Sequence, residues 1–415
     1  MTLDAVFFDE WRTRGDGERR SLERARALVK ILGLDVDNAI PVLSIVGSKG
    51  KGTTATYASA VLSAAGLRVV TVTGPALRDN RERIRVNGAA VDDATFRDLA
   101  RQLAGARQHL PNRDDEPGYL APSGLFTIAG VLHARQIKAD VLVLEAGMGG
   151  RSDEAAIFPP TVLAVAEIFG EHLGILGETV PDIAREKVGL ADHHTEAVVS
   201  LPQNPGVLLA MRETSPVDVE VLDPASPEPT GPLSFPAELL PIGLSGQNAV
   251  LGHTAALRLL SRRGLRVPTA NSLSGTLQTV ILPGRLSLHR IDSGTHLLVD
   301  SAVNQTGAAT ARCHAETLWP RIDHVLVCMP DHKDLEGVVA ALGGLPITYV
   351  RLPFSRLGFS RSGDRPIVDA ERLTPGYISS LGTYVLAIGT VYFAGVVLDT
   401  VDALTERLFV PPNEA

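Results

Sequence analysis

The sequence predicts an α/β protein with a mainly parallel, doubly wound sheet in its N-terminal part and a smaller Rossmann-like α/β domain after it. Three observations carry this. Short apolar runs at 42–46, 67–72, 139–144 and 161–166 show no polar face and alternate with helical stretches. Strands covered by helices on both sides read in this way. The first run feeds Gly47-Ser48-Lys49-Gly50-Lys51-Gly52-Thr53-Thr54, after which 55–65 reads as a helix. Beyond Pro283-Gly284-Arg285 the alternation resumes, with 296–299, 307–317, 324–328 and 384–388 as its elements.

The remaining elements follow in order. Residues 20–33 place Leu22, Ala25, Leu28, Val29 and Leu32 at helical spacing, and 180–190 reads as another helix. Segments 104–123 and 212–240, rich in Pro, Asp, Glu and Ser, read as loops. There is no internal repeat. Two domains are expected, 1–283 and 284–415, because 415 residues exceed one typical core.

Composition narrows the function. With 45% hydrophobic and 21% charged residues the chain is a folded globular protein. A net charge of −8 argues against a nucleic-acid partner, which needs a basic face. Cys313 and Cys328 have no metal-binding spacing and make no disulfide framework, which suits a reducing cytoplasm. The start of the chain lacks a basic leader, and no apolar run approaches the ~20 residues of a membrane span. Neither a membrane nor a nucleic acid is expected as partner.

The glycine loop carries the chemistry. Strand, glycine loop and helix make a phosphate cradle, in which backbone N–H groups and the helix N-terminus meet anionic oxygens. Lys51 is placed to reach terminal phosphates, and a threonine hydroxyl to ligate Mg²⁺. Gly52 between Lys51 and Thr53 sets the loop apart from the plain Walker form. Glu145 ends a predicted parallel strand, where open α/β sheets hold their ligands. His172 follows Glu171 on a loop after a strand.

An ordered set of segments resembles the folylpolyglutamate synthase and dihydrofolate synthase branch of the Mur ligase superfamily. The glycine loop is similar to its G-T-N-G-K-G-S/T, and Arg81-Glu82-Arg83-Ile84-Arg85-Val86-Asn87-Gly88 to N-E-R-I-R-V-N-G. Val143 through Asp153 resembles V-L-E-V-G-L-G-G-R-L-D, and His172 through Gly189 resembles D-H-x-x-x-L-G-D-T followed by I-A-x-E-K-A-G. Pro283-Gly284-Arg285-Leu286, Asp331-His332-Lys333-Asp334 and Gly389-Thr390-Val391-Tyr392 resemble later landmarks. The resemblance implies an ATP- and Mg²⁺-dependent, ADP-forming ligase that joins a carboxylic acid to an amino acid or other amine through an acyl phosphate. It implies that Gly47, Ser48, Lys49, Gly50, Lys51, Gly52, Thr53, Thr54, Arg285 and Asp300 hold the nucleotide. Thr53, Thr73, Glu145, His172 and a carbamylated Lys187 would hold metal, with Lys51, His172 and Lys187 as the catalytic set. ATP and acid fall to 1–283, and the amine to 284–415, which closes over ATP.

Departures from the pattern cluster. Gly74-Pro75-Ala76-Leu77 stands for S-P-H-L, leaving Thr73 as the nearby hydroxyl. Phe126 stands for a glutamate, Ala155-Ala156 for threonine-asparagine, Gly252 for the asparagine expected at the adenine, and Val303 for a histidine. These changes lead to an expected change of acid substrate and to a second expectation of weakened ATP binding. The alternatives are a genuine dihydrofolate or folylpolyglutamate synthase adding L-glutamate, and a non-catalytic nucleotide-binding regulator.

Overall fold

The computed structural model describes residues 4–34, 40–113, 118–223, 233–291, 294–354, 357–360 and 365–412. They fall into two compact units: the first takes residues up to Pro75, Asn80–Val280 and Arg407 onward, and the second takes Ala76–Asp79 and Ile281–Glu406.

The first unit holds β1 (Val42–Val46), β2 (Val69–Val72), β3 (Ile84–Val86), β4 (Ala89–Ala90), β5 (Val141–Glu145), β6 (Val162–Val165), β7 (Ala197–Ser200) and β8 (Val219–Val221). They form one sheet in the order β4-β3-β2-β5-β1-β6-β7-β8. All pairings are parallel except β2–β3 and β3–β4. The parallel strands are buried along both faces because each face is covered. Val70, Val72, Leu142 and Leu144 join Phe7, Leu28, Leu99 and Leu125 from the helices Ala5–Arg12, Leu22–Ile31, Asp93–Arg107 and Pro122–Gln136. Leu163, Val165 and Val198 meet Ile183 and Val188 of the helix Val180–Val188 and Met211 of the helix Pro205–Thr214. The helices Lys51–Ala64 and Leu244–Arg262 pack on each other and on the sheet. Lys51–Ala64 is buried continuously from Thr53 to Ala64 and consists largely of Ala, Ser and Thr, side chains small enough for a helix enclosed on several sides.

The second unit holds β9 (Ser287–Arg290), β10 (His296–Asp300), β11 (His324–Cys328), β12 (Ile347–Arg351), β13 (Ile367–Asp369) and β14 (Tyr384–Gly389). Their order is β13-β12-β11-β14-β10-β9, with β9 antiparallel at the edge. Alternate residues divide between two cores. Leu298, Val325, Val327, Leu386 and Ile388 face the helices Gln305–Leu318 and Leu335–Leu342. Leu297, Val299, Leu326, Val385 and Ala387 face the helix Val391–Thr400.

The mixed α/β architecture with two mainly parallel sheets agrees with the sequence reading. Details differ. The helix after the glycine loop starts at Lys51, not at 55, so Lys51, Gly52, Thr53 and Thr54 form its first turn. Segment 212–240 contains the end of the helix Pro205–Thr214 and β8, while 224–232 lie outside the described residues. Segment 104–123 takes in the end of Asp93–Arg107 and the start of Pro122–Gln136, and 114–117 lie outside the described residues. Among the described residues no helix is long and apolar enough to cross a membrane.

Candidate active site

β1 lies between β5 and β6, so the chain leaves the sheet in opposite directions on either side of it, the switch point where open α/β sheets form their crevice. The glycine loop leaves β1 there. Gly47 and Gly50 have φ of +141° and +84°, and a Cβ on Gly50 would lie 2.2 Å from the Asn248 amide. The loop is held from below: Ser48 N donates to Glu167 O at 2.8 Å, and Phe169 N donates to the Ser48 hydroxyl at 3.1 Å. Lys49 Nζ stands 5.6 Å from the centroid of the Phe169 ring.

Two lysines meet at one carbonyl. Lys51 Nζ donates to Gly47 O at 3.1 Å, and Lys187 Nζ donates to the same oxygen at 3.0 Å. Lys187 also donates to Met148 O at 2.9 Å and pairs with Glu171 at 3.0 Å, with its side chain 1% exposed. Three acceptors satisfy the ammonium. Burial lowers its pKa, the Lys51 cation lowers it further, and Glu171 opposes both. Lys187 stands in the last turn of Val180–Val188, a helix started by a reciprocal cap between Thr179 and Asp182.

Glu145 closes β5, and its Oε2 accepts from Gly74 N at 3.0 Å. A Cβ on Gly52 would lie 3.6 Å from the same oxygen, which places this carboxylate beside the first helical turn. Thr53 is buried in that turn, and Thr73 follows β2 one residue past the Val72–Leu144 pair. The structure thus brings Thr53, Thr73 and Glu145 into one neighbourhood around the loop. His172 is exposed on the loop after β6, with φ of +51°. Its neighbour Glu171 is the residue that reaches Lys187.

Arg285 and Asp300 share a corner of the second unit. Asp300 Oδ2 accepts from Leu286 N at 2.8 Å, and Arg285 Nη1 donates to the Ser301 hydroxyl. Val303 packs against the core of that unit, and Asn304 caps the helix Gln305–Leu318.

Several positions carry more than their motifs suggest. Asn248 is fully buried; its Oδ1 accepts from the Thr54 hydroxyl at 3.2 Å and its Nδ2 donates to Leu244 O at 2.7 Å. An asparagine therefore does stand at the loop, and sequence reading passes over it because the partners are far apart in the chain. Gly252, one turn on, is a contact glycine, because a Cβ there would lie 2.3 Å from Thr54 O. Phe126 is buried in a stack with Phe7, ring centroids 4.1 Å apart, and the Arg83 guanidinium lies 4.6 Å from its centroid. Arg20, close to the start of Leu22–Ile31, pairs with Asp153 at 3.2 Å and Glu154 at 3.3 Å. Burial and the Asp153 charge push the Glu154 carboxyl up to about 7.

No protein-family model matches the sequence. The probable bifunctional folylpolyglutamate synthase/dihydropteroate synthase of Halobacterium salinarum is 33% identical over 175 residues, 42% of this chain but 21% of that protein. The dihydrofolate synthase/folylpolyglutamate synthase of Escherichia coli (strain K12) is 30% identical over 334 residues, 77% of this chain and 74% of that protein. Among solved structures, Mycobacterium tuberculosis folylpolyglutamate synthase complexed with ADP and AMPPCP superposes with a TM-score of 0.76. It is 21% identical and the match covers 96% of this chain and 98% of that one, a likeness of fold. With the Escherichia coli likeness spanning about three quarters of both proteins, the chain belongs to the folylpolyglutamate synthase/dihydrofolate synthase branch of the Mur ligase superfamily, a class of ATP-dependent ligases.

Proposed function

We propose that this chain is an ADP-forming ligase that joins a carboxylic acid to an amino acid or other amine at the expense of ATP. The observation that carries the reading is the convergence of Lys51 and Lys187 on Gly47 O, at the N-terminus of a buried helix. The Lys51 cation and the first-turn N–H groups of that helix suit a polyphosphate. In the reaction a carboxylate oxygen attacks the γ-phosphorus, the bond to the β–γ bridging oxygen breaks and ADP leaves. The amine nitrogen then attacks the acyl carbon, phosphate leaves, and the nitrogen gives up a proton. Lys51 exchanges Gly47 O for phosphate oxygens.

The oxygen-only set of Thr53, Thr73 and Glu145 fits a hard cation such as Mg²⁺, which when bound supplies charge against the phosphates. Exposed His172 would serve a second metal. Carbamylation of Lys187 belongs to the same proposal: burial favours the free amine that CO₂ requires, and the product exchanges bonds to Gly47 O or Glu171 for metal. An intact mass higher by one CO₂ checks it. Arg285 and Asp300 are assigned to the nucleotide's phosphates and ribose, and the amine to residues 284–415.

The acid differs from a pterin-containing one in this reading. Phe126 has no hydrogen-bonding group and is enclosed in an aromatic stack, and Asp153 is already paired with Arg20, so it takes a new polar partner only by loosening its present ones. Each lost charge-assisted bond lowers affinity by about 1.5–3 kcal/mol. A second reading, glutamate addition to folates, is favoured by the name and 30% identity of the Escherichia coli relative. Purified protein with ATP, Mg²⁺, L-glutamate and either dihydropteroate or tetrahydrofolate separates the two, alongside a panel of other acids and amines read by mass spectrometry. Weak or undetectable folate products with efficient ligation of another acid are expected; multiple turnovers at micromolar folate establish the second reading. ADP release that ignores both acid and amine sinks ligation altogether. Lys51→Ala should keep the fold and lower turnover by orders of magnitude.

A further inference from the structure

The geometry points to Asp153, held by Arg20, as a positioning residue of the nucleotide loop, acting through the peptide of Met148. This rests on the nucleotide reading of the glycine loop. Asp153 is 1% exposed, and its Oδ2 accepts from Gly147 N at 3.1 Å, from Met148 N at 3.3 Å and from Arg20 Nη1 at 3.2 Å. Its other oxygen accepts from Ala155 N at 3.1 Å and caps the short 3₁₀ turn Glu154–Ile157. The Met148 peptide is therefore pinned on its N–H side by Asp153. Its next carbonyl, Met148 O, receives Lys187 Nζ at 2.9 Å, and Lys187 Nζ reaches Gly47 O at 3.0 Å.

A continuous set of bonds thus runs from Arg20 through Asp153, the Met148 backbone and Lys187 to the first glycine of the loop. Every side chain in it is mostly buried, so each bond acts in a low dielectric. Arg20 keeps the Asp153 charge in place against the adjacent Glu154 carboxyl, with which it shares the same guanidinium nitrogen. The unmodified Lys187 amine serves both Met148 O and Gly47 O; a carbamate has one N–H, which keeps the link to Met148 O and thereby the position of Lys187 beside the loop. Asp153 touches neither the loop nor Lys187 directly; it fixes where the Met148 carbonyl points, and that carbonyl fixes where Lys187 can sit.

The test is the affinity of the full chain for ADP and Mg²⁺, by calorimetry, in five proteins besides the wild type. Asp153→Asn keeps an oxygen for Gly147 N and Met148 N and should stay within about threefold of the wild type. Asp153→Ser keeps a cap for Ala155 N but is too short for Met148, and should weaken ADP by about tenfold. Lys187→Met should weaken it at least as much. The double variant Asp153→Ser with Lys187→Met should be no weaker than Lys187→Met alone, because both changes break one path. Thermal melts confirm folding; if the Ser variant does not fold, Arg20→Gln carries the test, with a several-fold loss of ADP affinity expected in it and Asp153→Asn within about threefold of the wild type. Full additivity in the double variant, or wild-type ADP affinity in a folded Asp153→Ser or Arg20→Gln, overturns the inference. Absence of ADP binding by the wild type overturns the nucleotide reading instead.

Discussion

Gly50 is the tightest point of the loop: left-handed backbone, a helix beginning on its next residue, and the Asn248 amide against its Cα. Alanine there meets two penalties, a left-handed conformation that costs about 1–2 kcal/mol and displacement of Asn248 from Thr54. Gly50→Ala should lower stability by about 2 kcal/mol or more in denaturant titration and should weaken nucleotide binding, whereas a Gly in an ordinary turn tolerates the change. Two buried titratable groups set opposite pH trends. His253 is 1% exposed and burial lowers it to about 4 from an ordinary 6.5. Its contribution is present above pH 6.5 and is lost as pH falls through about 4. Glu154, raised from 4.5 to about 7, contributes below pH 4.5 and is lost as pH rises through about 7. Each imposes a slope of up to about 1.4 kcal/mol per pH unit, so the two largely cancel between them. Glu154→Gln should expose the histidine's trend, with stability rising from pH 4.5 to 6.5 more steeply than in the wild type; an unchanged profile rejects the Glu154 assignment.

The helix Leu244–Arg262 shows how an element carries two residues of the site on one face. Asn248 and Gly252 are four apart, so they stack on the side that meets Lys51–Ala64. Asn248 reaches the loop and Gly252 lets the two backbones approach. Glycine to alanine in an exposed helix gains up to about 1 kcal/mol, yet here the methyl group faces Thr54 O at 2.3 Å and Ala58 N at 2.9 Å. Gly252→Ala should therefore destabilise, by about 1–3 kcal/mol, and should weaken nucleotide binding by shifting Thr54. A stabilised variant contradicts the close contact. Sequence reading misses this pair because the information is the partner helix, almost two hundred residues away. It reads β1 correctly because a strand covered on both faces carries no polar face, and Val42–Val46 is apolar apart from the small, buried Ser44. It starts the next helix late because Gly52, Thr53 and Thr54 are poor helix formers, held by Gly50 and the packing around them. The helix Pro122–Gln136 leaves no amphipathic signal, since Gly124 through Ala134 are all buried.

At the scale of the molecule, the loop, Glu145 and the Lys187 segment are legible as local strings, each placed at the end of a strand or in a short helix by the α/β order. Which acceptors surround Lys187 is a product of folding, and no spacing encodes it. The end of the chain is a further case. Arg407 onward returns to the first unit, where Phe409 is 1% exposed against Gly88, Leu408 N donates to Gly88 O at 3.0 Å and Val410 N to the Thr279 hydroxyl at 2.8 Å. Phe409→Ala should cost about 3–5 kcal/mol, read as a lower melting temperature, and removal of residues after 406 at least as much. A melting temperature unmoved by either change contradicts this anchoring. The chain passes between the units at 75/76, 79/80, 280/281 and 406/407. Neither unit is therefore a single stretch of coding sequence: a gene cut at any one of these places deprives one side of a piece of its own core. Recombination between relatives has no clean seam here, and a swap of the second unit would have to transplant residues 76–79 and 281–406 together while leaving the last residues behind.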